Sequence, residues 1–383
     1  MNIGIVTDTY RPRINGVVTS IDTFAYEFRK LGHSVYIFAP SFPHVPAEEH
    51  VYRFPSLYLF FDPEDRLALP WSRKVTKKIP DLKLDILHTQ TPFTLGIAAL
   101  RWARQNHIPL VHTYHTLFTA YTAHYLKFIP KDLGVEWTKR LSRAYCDRCQ
   151  LVITPSPQMK QALLSYGVHS PVEVNPTGIN LERLQNADGK AFRKNFGIKD
   201  EEKMLLFMGR IGREKNVPFL FRMLKLVLKE IPAVRLVVAG EGPAKQELVR
   251  LCSEMGIQGH VLFIGYMNKE DWANCYAAAD LFTFASVTET QGLVVTEAMA
   301  VGTPVVAVGE MGVADIMRGD KGGLLTRLDE AEFSRAVIQL LLDQSLYEKK
   351  VKEALNWAKE WSSEAMGKKL LGHYQAVISE FKK

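Results

Sequence analysis

The fold class this sequence predicts is α/β, with two doubly wound parallel-sheet domains in tandem facing across a cleft. Three observations point to it. At 383 residues the chain is too long for one ordinary core, and two domains are expected. Short apolar runs alternate with stretches of helical spacing along its length, the pattern of a parallel sheet covered on both faces. The alternation starts afresh after Pro176–Asn180, so residues 1–178 are expected to form the first domain and 179–361 the second. Such sheets bind ligands beyond the carboxyl ends of their strands.

In the first domain the expected strands are Asn2–Thr7, Ser34–Ala39, Ile86–His88, Leu110–Thr113, Leu151–Pro155 and Val172–Asn175. Thr19–Leu31 has helical spacing, with Ile21, Phe24, Ala25, Phe28 and Leu31 on one face and Gly32 as its stop. Further helices are expected over Leu95–Asn106, near 131–147 and over Ser156–Tyr166. Residues 40–80 read as irregular, because seven prolines break any long element. The second domain's expected strands are Lys203–Met208, Val234–Ala239, Val261–Ile264, Leu281–Ala285, Pro304–Val308 and Gly323–Leu325, with helices between them. Leu346–Lys383 reads as one long helical pattern whose Trp357, Trp361 and Tyr374 must pack somewhere. Its end, about 362–383, is a candidate to fold back on the first domain.

Composition narrows the function classes. With 47% hydrophobic and 23% charged residues, the chain reads as a globular protein. It has no apolar run long enough to span a bilayer, and its first residues enter a strand instead of forming a signal peptide. A cytoplasmic protein is expected. The net charge of +7 is uneven: residues 1–180 carry 20 Lys and Arg against 14 Asp and Glu, and the rest carry 28 against 27. An anionic partner or surface for the first domain follows. No nucleic-acid motif or even basic stripe accompanies the basic balance, so nucleic acid is not expected. Four cysteines are too few for a disulfide scaffold. Cys146 and Cys149, with His112 and His115 upstream, could form a zinc site, but they lie in a helical pattern and none is expected.

The chemistry concentrates in turns at strand ends. Ser286–Ala300 reads as polar turn followed by helix start, which points backbone N–H groups at one place where anions bind. Glu289 sits in that turn and Glu297 in the helix, so two carboxylates bracket an anion site, the layout that a sugar nucleotide fits. Gly209–Asn216 places Arg210, Arg213 and Lys215 among glycines, and Arg forks and Lys point charges suit phosphate oxygens. Gly240 opens a tight turn, and at Gly265 a flat base could lie against backbone. Gly16 precedes a helix and lets backbone approach a phosphate. His115 belongs to a polar cluster at a strand end and reads as functional, whereas His112 lies in the strand pattern and reads as structural.

These residues together resemble the retaining glycosyltransferases of family 4, which have the GT-B fold of two Rossmann-like domains. Glu289 to Glu297 matches their Glu-x7-Glu motif, Gly209-Arg210 with Lys215-Asn216 their phosphate motif, and Asn15-Gly16-Val17 their N-terminal glycine loop. A closer likeness is to bacterial 1,2-diacylglycerol glucosyltransferases, through Thr7–Ser20, Arg66–Pro70, Tyr114–Thr116 and Thr288–Gly292. The resemblance implies that Glu297 holds the ribose diol, Glu289 contacts the transferred sugar, and Arg210 and Lys215 bind the diphosphate. Backbone near Gln291, Gly292, Leu293 and Val294, and at Gly16 and Val17, would approach donor phosphate or sugar. His115 would lie beside the sugar's reacting end. It also implies retention of configuration.

The closer resemblance implies a nucleotide sugar as co-substrate, UDP-glucose first, with no cofactor beyond it; no metal is expected, and no Asp-x-Asp motif occurs. Residues 56–79 and 117–143 set aromatic and apolar side chains beside lysines and arginines, as an anionic membrane surface requires. The expectation is therefore an enzyme docked peripherally on the inner face of the cell membrane, with a lipid acceptor such as diacylglycerol. Two alternatives stay open. One is a relative using a soluble or polysaccharide acceptor or GDP-mannose; the other is a sugar-nucleotide-binding protein without activity. Oligomeric state is not legible.

Overall fold

The computed structural model describes residues 1–13, 15–58, 66–116 and 131–383. The chain divides into two compact units, residues 1–178 with 363–383, and residues 179–362.

The first unit is built on a seven-stranded sheet. Its strands are β1 (Asn2–Val6), β2 (Ser34–Pro40), β3 (Val51–Phe54), β6 (Ile86–Thr89), β7 (Leu110–Thr113), β8 (Leu151–Thr154) and β9 (Val172–Val174). A separate antiparallel hairpin joins β4 (Ser56–Tyr58) to β5 (Arg66–Ala68). The sheet order is β3-β2-β1-β6-β7-β8-β9, and every pairing is parallel. Sheets buried on both faces need apolar side chains at nearly every position, and β6, β7 and β8 are buried throughout. Where residues 40–80 read as irregular, the structure has the edge strand β3, the hairpin and a short helix Arg73–Thr76. Four residues with an arginine among them carry too little alternation to be read as a strand; pairing with β2 makes β3 one.

The second unit holds a six-stranded parallel sheet. It comprises β10 (Lys203–Met208), β11 (Val234–Ala239), β12 (Val261–Gly265), β13 (Leu281–Phe284), β14 (Val305–Val308) and β15 (Gly323–Thr326). The order is β12-β11-β10-β13-β14-β15, with Leu205 opposite Leu281 and Leu206 opposite Phe282 where the winding reverses. Phe207, Phe282 and Phe284 stack in its core and are fully buried. In each unit the order reverses beside the first strand, so the turns after β1 and β6, and after β10 and β13, flank a topological switch point. Ligands of doubly wound sheets bind at such points.

The final helical pattern is two helices, Gln344–Lys359 and Ser363–Phe381, and not one. The Ile179 amide donates to the Trp361 carbonyl (2.8 Å) and Ile179 bridges Ser362, which interrupts the helix. Trp357 and Trp361 pack on the second unit's core. Tyr374 is fully buried in the first, edge-on to Phe28 of the helix Gly16–Lys30, and shares one apolar cluster with Leu370, Leu371 and Ile21.

Candidate functional site

In the second unit the turn after β10 is shaped by glycine. Gly209, Gly240 and Gly265, at the ends of β10, β11 and β12, all have φ in the left-handed half (+150°, +135°, +72°), where side chains are disfavoured. A Cβ at Gly240 would lie 2.0 Å from the Gly209 carbonyl oxygen. The Gly209 amide donates to Ala239 (3.0 Å) and the Gly240 amide to Gly265 (2.8 Å), lacing the three strand ends together.

The cations follow. Arg210 Nη2 donates to Glu214 Oε1 at 2.9 Å, and a 3₁₀ turn over Arg213–Lys215 brings Lys215 round to donate from Nζ to Glu289 Oε2. Lys215 also lies 5.7 Å from the centre of the Phe284 ring. The Lys215 and Glu289 side chains are only 19% and 22% exposed, so their attraction is less screened than at a surface. The Ser286 hydroxyl donates to the Glu214 carbonyl (3.1 Å) and so ties the turn after β10 to the turn after β13. Arg213 instead faces outward to Glu247; of the three cations the sequence grouped, it is the one at the surface.

The turn after β13 ends at Gly292 (φ +82°), which caps the helix Leu293–Ala300 without a side-chain hydrogen bond. No acid lies in that first turn. The Leu293 and Val294 amides therefore stand where a helix offers no internal partner and where its dipole favours an anion. The Glu289 carbonyl accepts from the Gly312 amide (3.0 Å), fixing the turn from below. Gln291 is buried. Glu297, half-buried on the helix, accepts from the Tyr276 hydroxyl at 2.8 Å. Lys215, Glu289, Arg210 and the amides of Leu293 and Val294 thus belong to two adjoining turns, with Glu297 on the helix that the second one starts.

In the first unit Asn15 caps the helix Gly16–Lys30 by accepting from Val18 (3.0 Å), and its amide donates to Thr9. Gly16 is exposed, and a Cβ there would meet nothing within 4 Å; Val17 follows it in the first turn. His115 follows β7 and pairs through Nε2 with Gln90 Oε1 at 2.7 Å. Burial pushes its imidazole down to about 4. The ring is therefore neutral near pH 7, and a donor at Nε2 makes Nδ1 the acceptor. His112 is fully buried with Nδ1 on Thr89. Cys146 and Cys149 are buried thiols, and burial pushes Cys146 up to about 12. Among the described residues no three metal-ligating side chains gather.

Asp8 was missed. It is buried after β1 and accepts from Thr91 and Thr94 hydroxyls and the Leu95 amide, all at 2.7–2.8 Å, so it caps the helix Thr94–Gln105 from a neighbouring strand. Glu214, Gln90 and Tyr276 were missed too. Only an acid between two cations could have marked Glu214.

Of the aromatic and basic stretches, residues 59–65 and Phe118, Tyr121, Tyr125, Leu126, Lys127 and Phe128 lie outside the described residues. On the helix Lys131–Cys146, Leu133, Trp137 and Leu141 recur every fourth residue and are 65%, 67% and 56% exposed. Trp71 and Tyr58 are exposed near Arg73, Lys74, Lys77 and Lys78 in sequence. No helix among the described residues is long and apolar enough to cross a membrane.

Known sequences agree with this architecture. The profile of Glycosyltransferase Family 4 matches residues 14–183, and that of Glycosyl transferases group 1 matches residues 188–357. The chain belongs to glycosyltransferase family 4 and is a glycosyltransferase. It is similar to the alpha-monoglucosyldiacylglycerol synthase of Streptococcus pneumoniae, with 36% identity covering 99% of this chain and 87% of that one. The protein of the same name from Acholeplasma laidlawii is 28% identical over 80% of each chain. In fold it is similar to Anabaena HepE in complex with UDP, at a TM-score of 0.79 and 18% identity over 98% of this chain and 100% of the other. The shared fold is GT-B.

Proposed function

We propose that the protein transfers glucose from UDP-glucose to diacylglycerol with retention of configuration, docked on the inner face of an anionic cell membrane. The observation that carries this reading is the contact between Lys215 and Glu289. It joins the cation assigned to the diphosphate and the carboxylate assigned to the sugar, one turn from a helix end suited to an anion.

Charge sets the chemistry. As the bond from the anomeric carbon to the diphosphate oxygen breaks, the diphosphate gains negative charge and the sugar becomes cationic. Arg210, Lys215 and the amides of Leu293 and Val294 stabilise that leaving group, as preorganised dipoles and charges do elsewhere. They supply the positive charge for which other sites use a metal ion. The acceptor hydroxyl attacks from the face the diphosphate leaves, and its proton passes to the departing phosphate oxygen. Glu289 receives sugar hydroxyls and Glu297 the ribose diol. Gln291 approaches the donor, and Gly240 and Gly265 line the nucleotide side.

The lipid acceptor draws support from the pneumococcal and Acholeplasma relatives, both named alpha-monoglucosyldiacylglycerol synthase. The exposed Leu133–Trp137–Leu141 stripe with Lys139 and Arg140 on the same helix suits an anionic lipid surface. The test is release of nucleoside diphosphate from UDP-glucose, UDP-galactose and GDP-mannose, each with diacylglycerol, phosphatidylinositol or no lipid. UDP-glucose with diacylglycerol should turn over fastest. Full turnover without lipid, or a preference for GDP-mannose, would replace this reading with a soluble acceptor or another donor.

A further inference from the structure

We propose that Tyr276 is a positioning residue for the donor's ribose, its hydroxyl fixing the Glu297 carboxylate in the orientation that receives the diol. The proposal rests on assigning Glu297 to the ribose.

Glu297 reaches its place through three rotatable side-chain bonds, and a half-buried carboxylate free to rotate would bind a diol with a loss of side-chain entropy. The Tyr276 hydroxyl removes that freedom by donating to Oε2 at 2.8 Å. Tyr276 itself cannot swing away. Its ring is fully buried on the helix Lys269–Ala278, edge-on to Phe282 with centroids 5.7 Å apart. Its carbonyl accepts from the Thr303 hydroxyl at 2.7 Å, so the backbone beneath the ring is pinned as well. Thr303 follows the helix that carries Glu297. The same tyrosine is therefore fastened at both ends to the segment it orients. Burial, and then the nearby carboxylate, push the phenol's pKa well above its ordinary value. The hydroxyl stays a donor, and the carboxylate keeps the acceptor lone pairs a diol needs.

A buried tyrosine hydroxyl also needs an acceptor for its own sake, and the test separates that structural need from positioning. Tyr276→Phe keeps the ring and removes one oxygen. UDP and 2′,3′-dideoxy-UDP are titrated calorimetrically into wild type, Tyr276→Phe, Glu297→Ala and the double variant, and kcat and KM are measured for the donor. Tyr276→Phe should bind UDP about tenfold more weakly, as loss of one hydrogen bond to a charged group predicts. Its donor KM should rise equally while kcat stays within about twofold. The dideoxy nucleotide should bind wild type and Tyr276→Phe alike, and the double variant should bind UDP no more weakly than Glu297→Ala. Wild-type UDP affinity in Tyr276→Phe, alongside weakened binding in Glu297→Ala, overturns the proposal and leaves the ribose assignment standing. Undiminished UDP binding in Glu297→Ala overturns the ribose assignment and the proposal with it. A melting temperature for Tyr276→Phe close to wild type shows that the comparison is between folded proteins.

Discussion

Replacing Lys215 with alanine should lower turnover about 100-fold and leave donor binding much less affected. The magnitude follows from where the ammonium sits. With four-fifths of its side chain covered, Lys215 acts through an effective dielectric near 20, where unit charges 4 Å apart interact by about 4 kcal/mol. The donor's diphosphate is already anionic in the ground state, so only the charge that develops as the bond breaks adds to catalysis. With about two-thirds of a unit charge developed on the leaving oxygen at the transition state, the loss is ~2.7 kcal/mol, or ~100-fold in kcat. Loss of the pair with Glu289 has a separate, smaller effect on folding, about 1 kcal/mol, seen as a drop of ~3 °C in melting temperature. Steady-state release of nucleoside diphosphate at saturating acceptor separates kcat from KM, and differential scanning calorimetry reads the stability. Adding Glu289→Gln to Lys215→Ala should restore the melting temperature and not the turnover. A kcat within threefold of wild type would refute the reasoning.

Three further outcomes are expected. Glu214→Ala frees Arg210 from its 2.9 Å partner and should lower kcat/KM about tenfold for one misplaced charged hydrogen bond; unchanged kinetics would show that Arg210 holds its place without help. In the folded state His115 and His112 titrate near 4 and 3 against an ordinary value of 6.5, so the unfolded chain takes up protons first as pH falls. Stability contributed by the two rings is full above about pH 6.5 and lost progressively down to about pH 3. Urea midpoints should fall from pH 7 to pH 4.5, and less steeply in His115→Gln; a midpoint that rises over that range contradicts the burial of these rings. Finally, Leu133→Ser/Trp137→Ser should reduce sedimentation with anionic vesicles, and salt should release the wild-type protein from them. Equal partitioning of wild type onto neutral vesicles would count against electrostatic docking.

The sequence is most readable where burial is two-sided. Met204–Met208 and Leu236–Ala239 are buried without a break, so the apolar runs that cover both faces announce the strands. Edge strand β3 could not be read this way, because Val51–Phe54 has intermediate burial at three of four positions. The break between the last two helices has no glycine or proline to signal it. A backbone pairing between Ile179 and residues 361–362 makes it, and that partner lies about half the chain away. The site divides similarly. Arg210, Lys215 and Glu289 stand in turns whose composition marks them, and Lys215 and Glu289 do meet. Tyr276, Glu214 and Gln90 act through what they touch, and a tyrosine within Cys275–Ala279 looks like one more buried apolar residue until the fold brings Glu297 to its hydroxyl.

The C-terminal helix gives the first unit a peculiar order of completion. Residues 1–178 leave the ribosome long before 363–383, yet Leu370, Leu371, Tyr374 and Val377 fill that unit's core, and the Tyr374 hydroxyl is the partner of buried His88. The second unit is one uninterrupted segment, 179–362, and has all its residues once Ser362 is made. The unit begun first is therefore finished last. A nascent chain carries an unsealed apolar face through most of its synthesis, and a fragment ending at residue 178 lacks part of its own interior.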